Sequence, residues 1–399
     1  MELLVVADGH YYITPNGEVY VESVFDYAFY ARYLSAFEKV YAIVRAQNVS
    51  EPPQKSKLAS GNNVVFLPIL PSKGVKGFLK NYFVNKKLIR EYIEKFECAI
   101  FRVPGVVANT VQPVFAKTNR PYAIEVVVDP WEYFAKGTVK GFTRPIVRYW
   151  WTKSLKRMCL DAVGVSYVTD SYLQKKYPCK ALKTQDGKYF TSSYSSVELP
   201  DNLFKEPKIA EKKNHYIISH VANAFSSYGK GHLTLMKAAK SVADAGYDIE
   251  VWFIGDGILR SAFEQFAKDL GIADRVVFCG RLPNGDKVRE KIRESDLFVF
   301  PTMAEGLPRV VLEAMAEGLP VLSSPVCGIP EILPRERLVD YDDYQGYAKA
   351  IIQLINNPEL MTEQSKRNIE VSKRYKSSIL NKKREEFYKT LRSLVENEY

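Results

Sequence analysis

The chain has 399 residues, 46% hydrophobic and 26% charged, a globular composition too long for one ordinary core and suited to about two domains of roughly 150 to 200 residues each. Its net charge of +10 at pH 7 invites an anionic partner, either nucleic acid or an anionic membrane. The five cysteines, Cys98, Cys159, Cys179, Cys279 and Cys327, are odd in number and form no C-x-x-C pair, which excludes a disulfide framework and a zinc ribbon and fits a reducing cytosol.

In chain order, "MELLVVADGH" carries an apolar run only over 3–7, too short for a signal-peptide core, and no run of about 18 apolar residues follows. A cytoplasmic protein is expected, neither exported nor membrane-spanning. Continuously apolar runs at 3–7, 40–46, 63–69, 98–103, 122–129 and 162–169 predict buried parallel strands. Two basic segments lie among them. Residues 71–90 carry six basic residues and no acid, with Phe78, Leu79, Tyr82 and Phe83; residues 136–157 carry seven basic residues and no acid, with Trp150 and Trp151. Basic side chains interleaved with aromatics suit a surface lying on anionic headgroups, each Lys or Arg contributing about 1 kcal/mol. A solvated basic face is the alternative. Nucleic acid is not expected, because no zinc finger, RNA-recognition signature or basic zipper accompanies these segments.

A polar, proline-containing stretch at 199–214 reads as a linker. Strand runs then resume at 215–221, 249–255, 275–280, 297–301 and 320–324, with helices at 231–245 and 258–270 stopped by Gly246 and Gly271. The alternation predicts an α/β chain of two doubly wound domains facing a cleft: 1–198, then 215–370, with a charged helix over 371–399 returning to the first domain.

The stretch "EGLPRVVLEAMAEGLP" at 305–320 sets two glutamates eight residues apart in an apolar run. Pro308 suits the first helical turn and Gly318 with Pro320 closes it, so a helix over 308–317 is expected. Glu305 then lies in the loop at the carboxyl edge of the sheet, where ligands of open α/β sheets bind. Free N–H groups at the helix start suit a phosphate. Glu313, among Val310, Val311, Leu312, Ala314 and Met315, needs hydrogen-bond donors, which sugar hydroxyls supply. A nucleoside diphosphate sugar fits: diphosphate at the helix start, sugar on Glu305, ribose on Glu313. A dipole partner and a surface carboxylate are the structural alternative.

The longer stretch "PTMAEGLPRVVLEAMAEGLPVLSSPVCGIPEIL" resembles the donor-site signature of the retaining family 4 (group 1) glycosyltransferases of the GT-B fold. The E-x₇-E spacing, the EAMA…G-PV continuation and the GIPE turn all match. The resemblance covers most of the C-terminal half, including "YGKGHLTLMKA", "FIGDGILRSAFEQFAKDLG" and "VVFCGRL". It is weaker in the N-terminal half, where "RYLSAFEKVYAIVRAQ" and "VVVDPWEYF" are similar to members acting in cell-surface polysaccharide synthesis. The resemblance implies that Lys230 contacts the donor diphosphate and that Gly231, Gly280, Arg281, Leu282, Gly306, Leu307, Pro308 and Val310 line the donor site. It implies catalysis by Glu305 and Lys230, a UDP- or GDP-linked sugar as co-substrate and no further cofactor, and a glycan or lipid-linked acceptor. Two departures stand out. The arginine that family members usually carry five or six residues before the lysine is replaced by Ala224 and Phe225. The glycine-pair loop after the first strand is reduced to Asn16-Gly17, and 125–131 holds no histidine. Gly17 is carried over to the donor site, and Asn16, Arg102, Glu125 and Asp129 are the acceptor-side candidates.

Departure of a nucleoside diphosphate builds negative charge on its β-phosphate, which fixed positive groups stabilise. Lys230, the N–H groups of the Pro308 helix and Arg309, as a two-pronged substitute for the missing arginine, are the candidates. No metal is expected, since no H-E-x-x-H occurs and the one D-x-D, Asp340 to Asp342, suits helix capping. His10 and His220 each follow the first strand of a half, where each could face the cleft, and read rather as structural. A GT-B sugar-nucleotide epimerase or phosphorylase, and a non-catalytic sugar-binding protein, remain as alternatives. The absence of an acceptor, a pyridoxal-bearing lysine or a lack of turnover would distinguish them.

Overall fold

A computed structural model describes residues 1–71, 74–135, 143–184, 186–204, 206–283 and 285–398. Parts of both basic segments, 72–73 and 136–142, and the side chains of Phe78 and Leu79, lie outside the described residues.

Strands β1 (Glu2–Ile13), β2 (Val19–Val21), β3 (Lys39–Asn48), β4 (Lys57–Leu58), β5 (Val64–Ile69), β6 (Ala99–Val103), β7 (Tyr122–Val126), β8 (Gly164–Tyr167) and β9 (Phe190–Ser193) form the first sheet. Its parallel part runs β5-β3-β1-β6-β7-β8-β9. Helices cover both faces, so the predicted runs are buried along their length; Leu3, Leu4, Val5, Val6 and Ala7 are all fully buried. The second sheet is β12-β11-β10-β13-β14, all parallel, from β10 (His215–Ala224), β11 (Asp248–Asp256), β12 (Val276–Gly280), β13 (Leu297–Phe300) and β14 (Val321–Ser323). This is the two-domain architecture expected from the alternation.

The apolar pattern does not mark β2, β4 or β9. They are short, and β9 is the polar run FTSS, which joins the sheet by its backbone alone. β1 runs six residues past the predicted 3–7 because a register shift between Val6 and His10, at Asp8-Gly9, carries it beyond its last pair with β6, Val6 to Phe101. There it takes β2 as an antiparallel neighbour, Tyr11 opposite Val21.

The stretch read as a linker is a packed strap. Leu199 is fully buried and bridges to Lys376, and Lys208 Nζ donates to the Ser295 carbonyl at 2.7 Å. Helix Pro358–Lys373 stays on the second sheet's side, where Asn368 Nδ2 donates to the Leu319 carbonyl at 2.7 Å. Helix Ser377–Glu398 crosses back to the first domain: Phe387 packs on Phe190 with ring centroids 4.9 Å apart, and Arg392 donates to the Ala36 carbonyl at 2.7 Å.

Candidate active site

In the second sheet, β10 and β13 are neighbours while β11 and β14 diverge to either side. The loops leaving β10 and β13 therefore meet at a topological switch point, the position at which doubly wound sheets bind ligands. The contacts are close: Met303 N–H donates to the Gly229 carbonyl at 2.9 Å, and a Cβ on Gly231 would stand 1.7 Å from the Pro301 carbonyl oxygen. Gly231 also has φ +77°, so only glycine fits there. It starts helix His232–Asp244, whose first turn has no side-chain cap. Helix Arg309–Ala316 begins after Pro308, also without a side-chain cap. Two free sets of N–H groups thus flank the junction, each carrying the partial positive charge of a helix start.

Lys230 and Glu305, 75 positions apart, form an ion pair here with both side chains partly exposed. Behind Lys230 lies a fully buried box of His220, His232, Phe225, Phe253, Phe263 and Phe300. Burial pushes His220 down to about 4 and His232 to about 2, so both rings are neutral. His220 Nδ1 meets the Val299 carbonyl at 2.9 Å, a structural role. Phe225, in the place of the absent arginine, is part of this box and 0% exposed.

Glu313 is half-buried one helical turn along, and among the described residues its carboxylate accepts no hydrogen bond. Burial raises its pKa, against the nearby positive charges of Arg309 and Arg289. Arg309 itself is exposed. Gly306, Leu307 and Pro308 are buried, Val310 and Leu282 half-buried, and Arg281 exposed beside Gly280, which has φ +72°.

The loop at 304–307 also meets the other domain. A Cβ on Gly306 would lie 2.1 Å from the Val127 carbonyl oxygen, just past β7, and one on Gly328 would lie 2.8 Å from Thr169 Cγ2, past β8. Only bare backbone permits this approach.

The N-terminal candidates require correction. Asn16 and Gly17 sit in the exposed β1–β2 turn, where Asn16 Nδ2 donates to Glu18 at 2.9 Å and nothing lies within 4 Å of a Gly17 Cβ. Among the described residues Asn16 bonds only within this turn. Glu125 is 2% exposed and accepts from Arg32 (2.8 Å), Tyr33 (3.0 Å), Arg102 (3.3 Å), Tyr194 (3.0 Å) and Tyr388 (2.9 Å). Its lone pairs are used, and Arg102 is committed to it. Asp129 is fully buried, takes the Trp131 N–H at 2.9 Å and holds Tyr172, Tyr177 and Lys176. The charged residues in these strands are engaged in networks within the fold. Asp343, not Asp340 or Asp342, caps the helix Tyr344–Ile355.

The sequence reading missed a cavity of about 680 Å³ at the carboxyl ends of β1 and β3, lined by Asp8, His10, Tyr12, Glu22, Arg45 and Gln47 among others. Asp8 pairs with Arg45 and takes the Val106 N–H at 2.7 Å. His10 is exposed and lines this cavity. The glycine inside a strand, Gly9, was the available signal of a bulge that re-aims its neighbours.

Residues 215–357 match the family described as glycosyl transferases group 1. Protein CapJ of Staphylococcus aureus is 28% identical over 92% of this chain and 91% of its own length. The lipopolysaccharide core biosynthesis glycosyltransferase LpsE of Rhizobium meliloti (strain 1021) is 33% identical over 35% of this chain and 40% of its length. Residues 215–357 are thus similar to the group 1 glycosyltransferases. The Anabaena Alr3699/HepE structure solved with UDP superposes on this chain with a TM-score of 0.65 and 15% identity, covering 98% of this chain and all of that one. The shared architecture is GT-B.

Proposed function

We propose that this chain is a glycosyltransferase that moves a sugar, with retention of anomeric configuration, from a nucleotide-sugar donor held by the C-terminal domain to a lipid-linked glycan acceptor held by the N-terminal domain, in capsule, exopolysaccharide or lipopolysaccharide synthesis. The supporting observation is the junction where two uncapped helix starts, the Lys230–Glu305 pair and the unbonded Glu313 carboxylate converge. The diphosphate takes the N–H groups and Lys230, Glu305 turns to the sugar, and Glu313 receives ribose hydroxyls. The bond from the anomeric carbon to the β-phosphate oxygen breaks with its electrons on the diphosphate. The acceptor oxygen bonds that carbon, and the acceptor proton leaves with the diphosphate. UDP in the HepE structure and the lipopolysaccharide role in LpsE's name favour a UDP-sugar and a cell-surface product.

The cavity beside His10 is the acceptor pocket in this reading, in place of the corrected residues. Pro71 lines it, and the basic helix Gly74–Ile93 starts beside it. Screening UDP-, GDP- and ADP-sugars for thermal stabilisation tests the donor half, since a ligand at 100 times its Kd adds about 2.7 kcal/mol. Glu313→Ala should weaken the best donor roughly 10- to 150-fold, the span of a hydrogen bond to a charged group. No stabilisation by any sugar nucleotide would overturn the proposal.

The membrane half rests on helices Gly74–Ile93 and Arg144–Asp161, which both pack on helix Val106–Phe115. They leave Phe83 80% and Ile146 73% exposed, with Tyr149 and Trp150 also exposed, beside Lys86, Lys87, Lys153 and Arg157. Among the described residues no helix is long and apolar enough to cross a membrane. The expected result is sedimentation with anionic vesicles at low salt and release as salt rises. Protein left in the supernatant at low salt would refute membrane docking.

A further inference from the structure

The GIPE turn has no part in donor binding as described above, yet its glutamate makes four hydrogen bonds across to the other domain. Glu331, half-buried at the end of the turn Ile329–Glu331, accepts the backbone N–H of Asp170 (2.6 Å), Ser171 (3.0 Å) and Tyr172 (2.5 Å) and the Ser171 hydroxyl (3.2 Å). Those donors belong to the N-terminal domain, in the segment after β8.

That segment is itself held firmly. Asp170 accepts from Ser193 of β9 at 2.9 Å, and Tyr172 donates to Asp129 at 3.0 Å, which fixes it to the loop after β7. On the other side, Gly328 N–H donates to the Gly306 carbonyl at 2.9 Å, tying the GIPE turn to the loop that carries Glu305. One continuous path of short contacts therefore runs from the N-terminal domain through Glu331, Gly328 and Gly306 to Glu305.

We propose that Glu331 is a positioning residue: its carboxylate latches the two domains together and sets where Glu305 and its loop stand relative to the acceptor side. A carboxylate suits a latch, because three converging N–H groups bind it strongly and directionally and release it without a change in either fold. Donor binding, made within the C-terminal domain, does not require the latch, whereas transfer between domains does. The inference rests on the glycosyltransferase reading only for its effect on turnover.

The test compares Glu331→Ala and Glu331→Gln with the unaltered chain. Loss of the latch should speed amide hydrogen exchange at 170–172 and enlarge the radius of gyration in solution scattering. It should also lower kcat about tenfold while donor Kd stays within about twofold. Glu331→Gln, which keeps one carbonyl acceptor without the charge, should fall between, and it carries the test if the alanine variant does not fold. Unchanged exchange at 170–172, unchanged kcat, or a loss of kcat matched by equal losses in donor affinity and melting temperature would overturn the proposal. Exchange and scattering need no substrate. A chain that turns over no donor would refute the proposed function while those two measurements still decided the latch.

Discussion

Lys230→Ala is expected to lower kcat by about 10²- to 10³-fold, the scale seen when one fixed positive group is withdrawn from a developing oxyanion. The expectation follows from how little other charge the junction holds. The arginine expected five or six residues before Lys230 is absent, and Phe225 stands there, fully buried in the aromatic box where no cation could replace it cheaply. Arg309 is exposed, and its charge acts on Glu313. Lys230 is instead anchored between Gly229, which receives the Met303 N–H at 2.9 Å, and Gly231, which admits no side chain beside Pro301. Its pairing with Glu305 keeps both side chains poised until a diphosphate competes for the lysine. Arg309→Ala should therefore cost clearly less than Lys230→Ala. Single-turnover measurement of nucleotide release checks both. Equal losses would mean that Arg309 reaches the phosphate after all, and a change below threefold in Lys230→Ala would remove the lysine from the chemistry.

The loop and helix that carry the two glutamates were legible in the sequence because their pattern is local. Glu305 and Glu313 are held by one loop and one helix, and the glycines that let the loop pass under its neighbours stand beside them. The side-chain networks of the N-terminal half were not legible, for a physical reason. A carboxylate in an apolar strand, such as Glu125, looks functional because burial without partners would be costly. Its partners Arg32 and Tyr388 come from 93 and 263 positions away, and no local pattern announces them. Asp129 misleads in the same way, through Lys176 and Tyr177. The exposed His10 was hidden by the opposite error. The apolar run at 3–7 gave no sign that β1 continues past a bulge into the wall of a cavity.

Glu125→Ala should destabilise the protein by about 3–5 kcal/mol, the cost of breaking a buried ion pair from one side. Arg32 and Arg102 would be left as buried guanidiniums without their carboxylate, and Tyr33, Tyr194 and Tyr388 would lose an acceptor. Because Tyr388 belongs to helix Ser377–Glu398, that helix should loosen first, and its amides should exchange faster. A loss of this size lowers Tm by about 10 °C for a domain near 200 residues. The same carboxylate dictates a pH dependence. Burial alone would raise the pKa of Glu125, but the Arg32 and Arg102 guanidiniums and the Tyr388 hydroxyl outweigh it and bring the group from an ordinary 4.5 to about 2. A carboxyl depressed on folding stabilises the protein above its unfolded pKa and loses that contribution as pH falls through the folded value. Between about pH 5 and pH 2 the unaltered chain should therefore lose about 3 kcal/mol from this group, and Glu125→Ala should lack that component of the loss. Denaturant unfolding at pH 7 and at pH 3 measures both effects. If Glu125→Ala instead kept its Tm at pH 7 and changed only the KM for acceptor, the carboxylate would belong to the acceptor site, and the helix Ser377–Glu398 would be held by Phe387 and Arg392 without it.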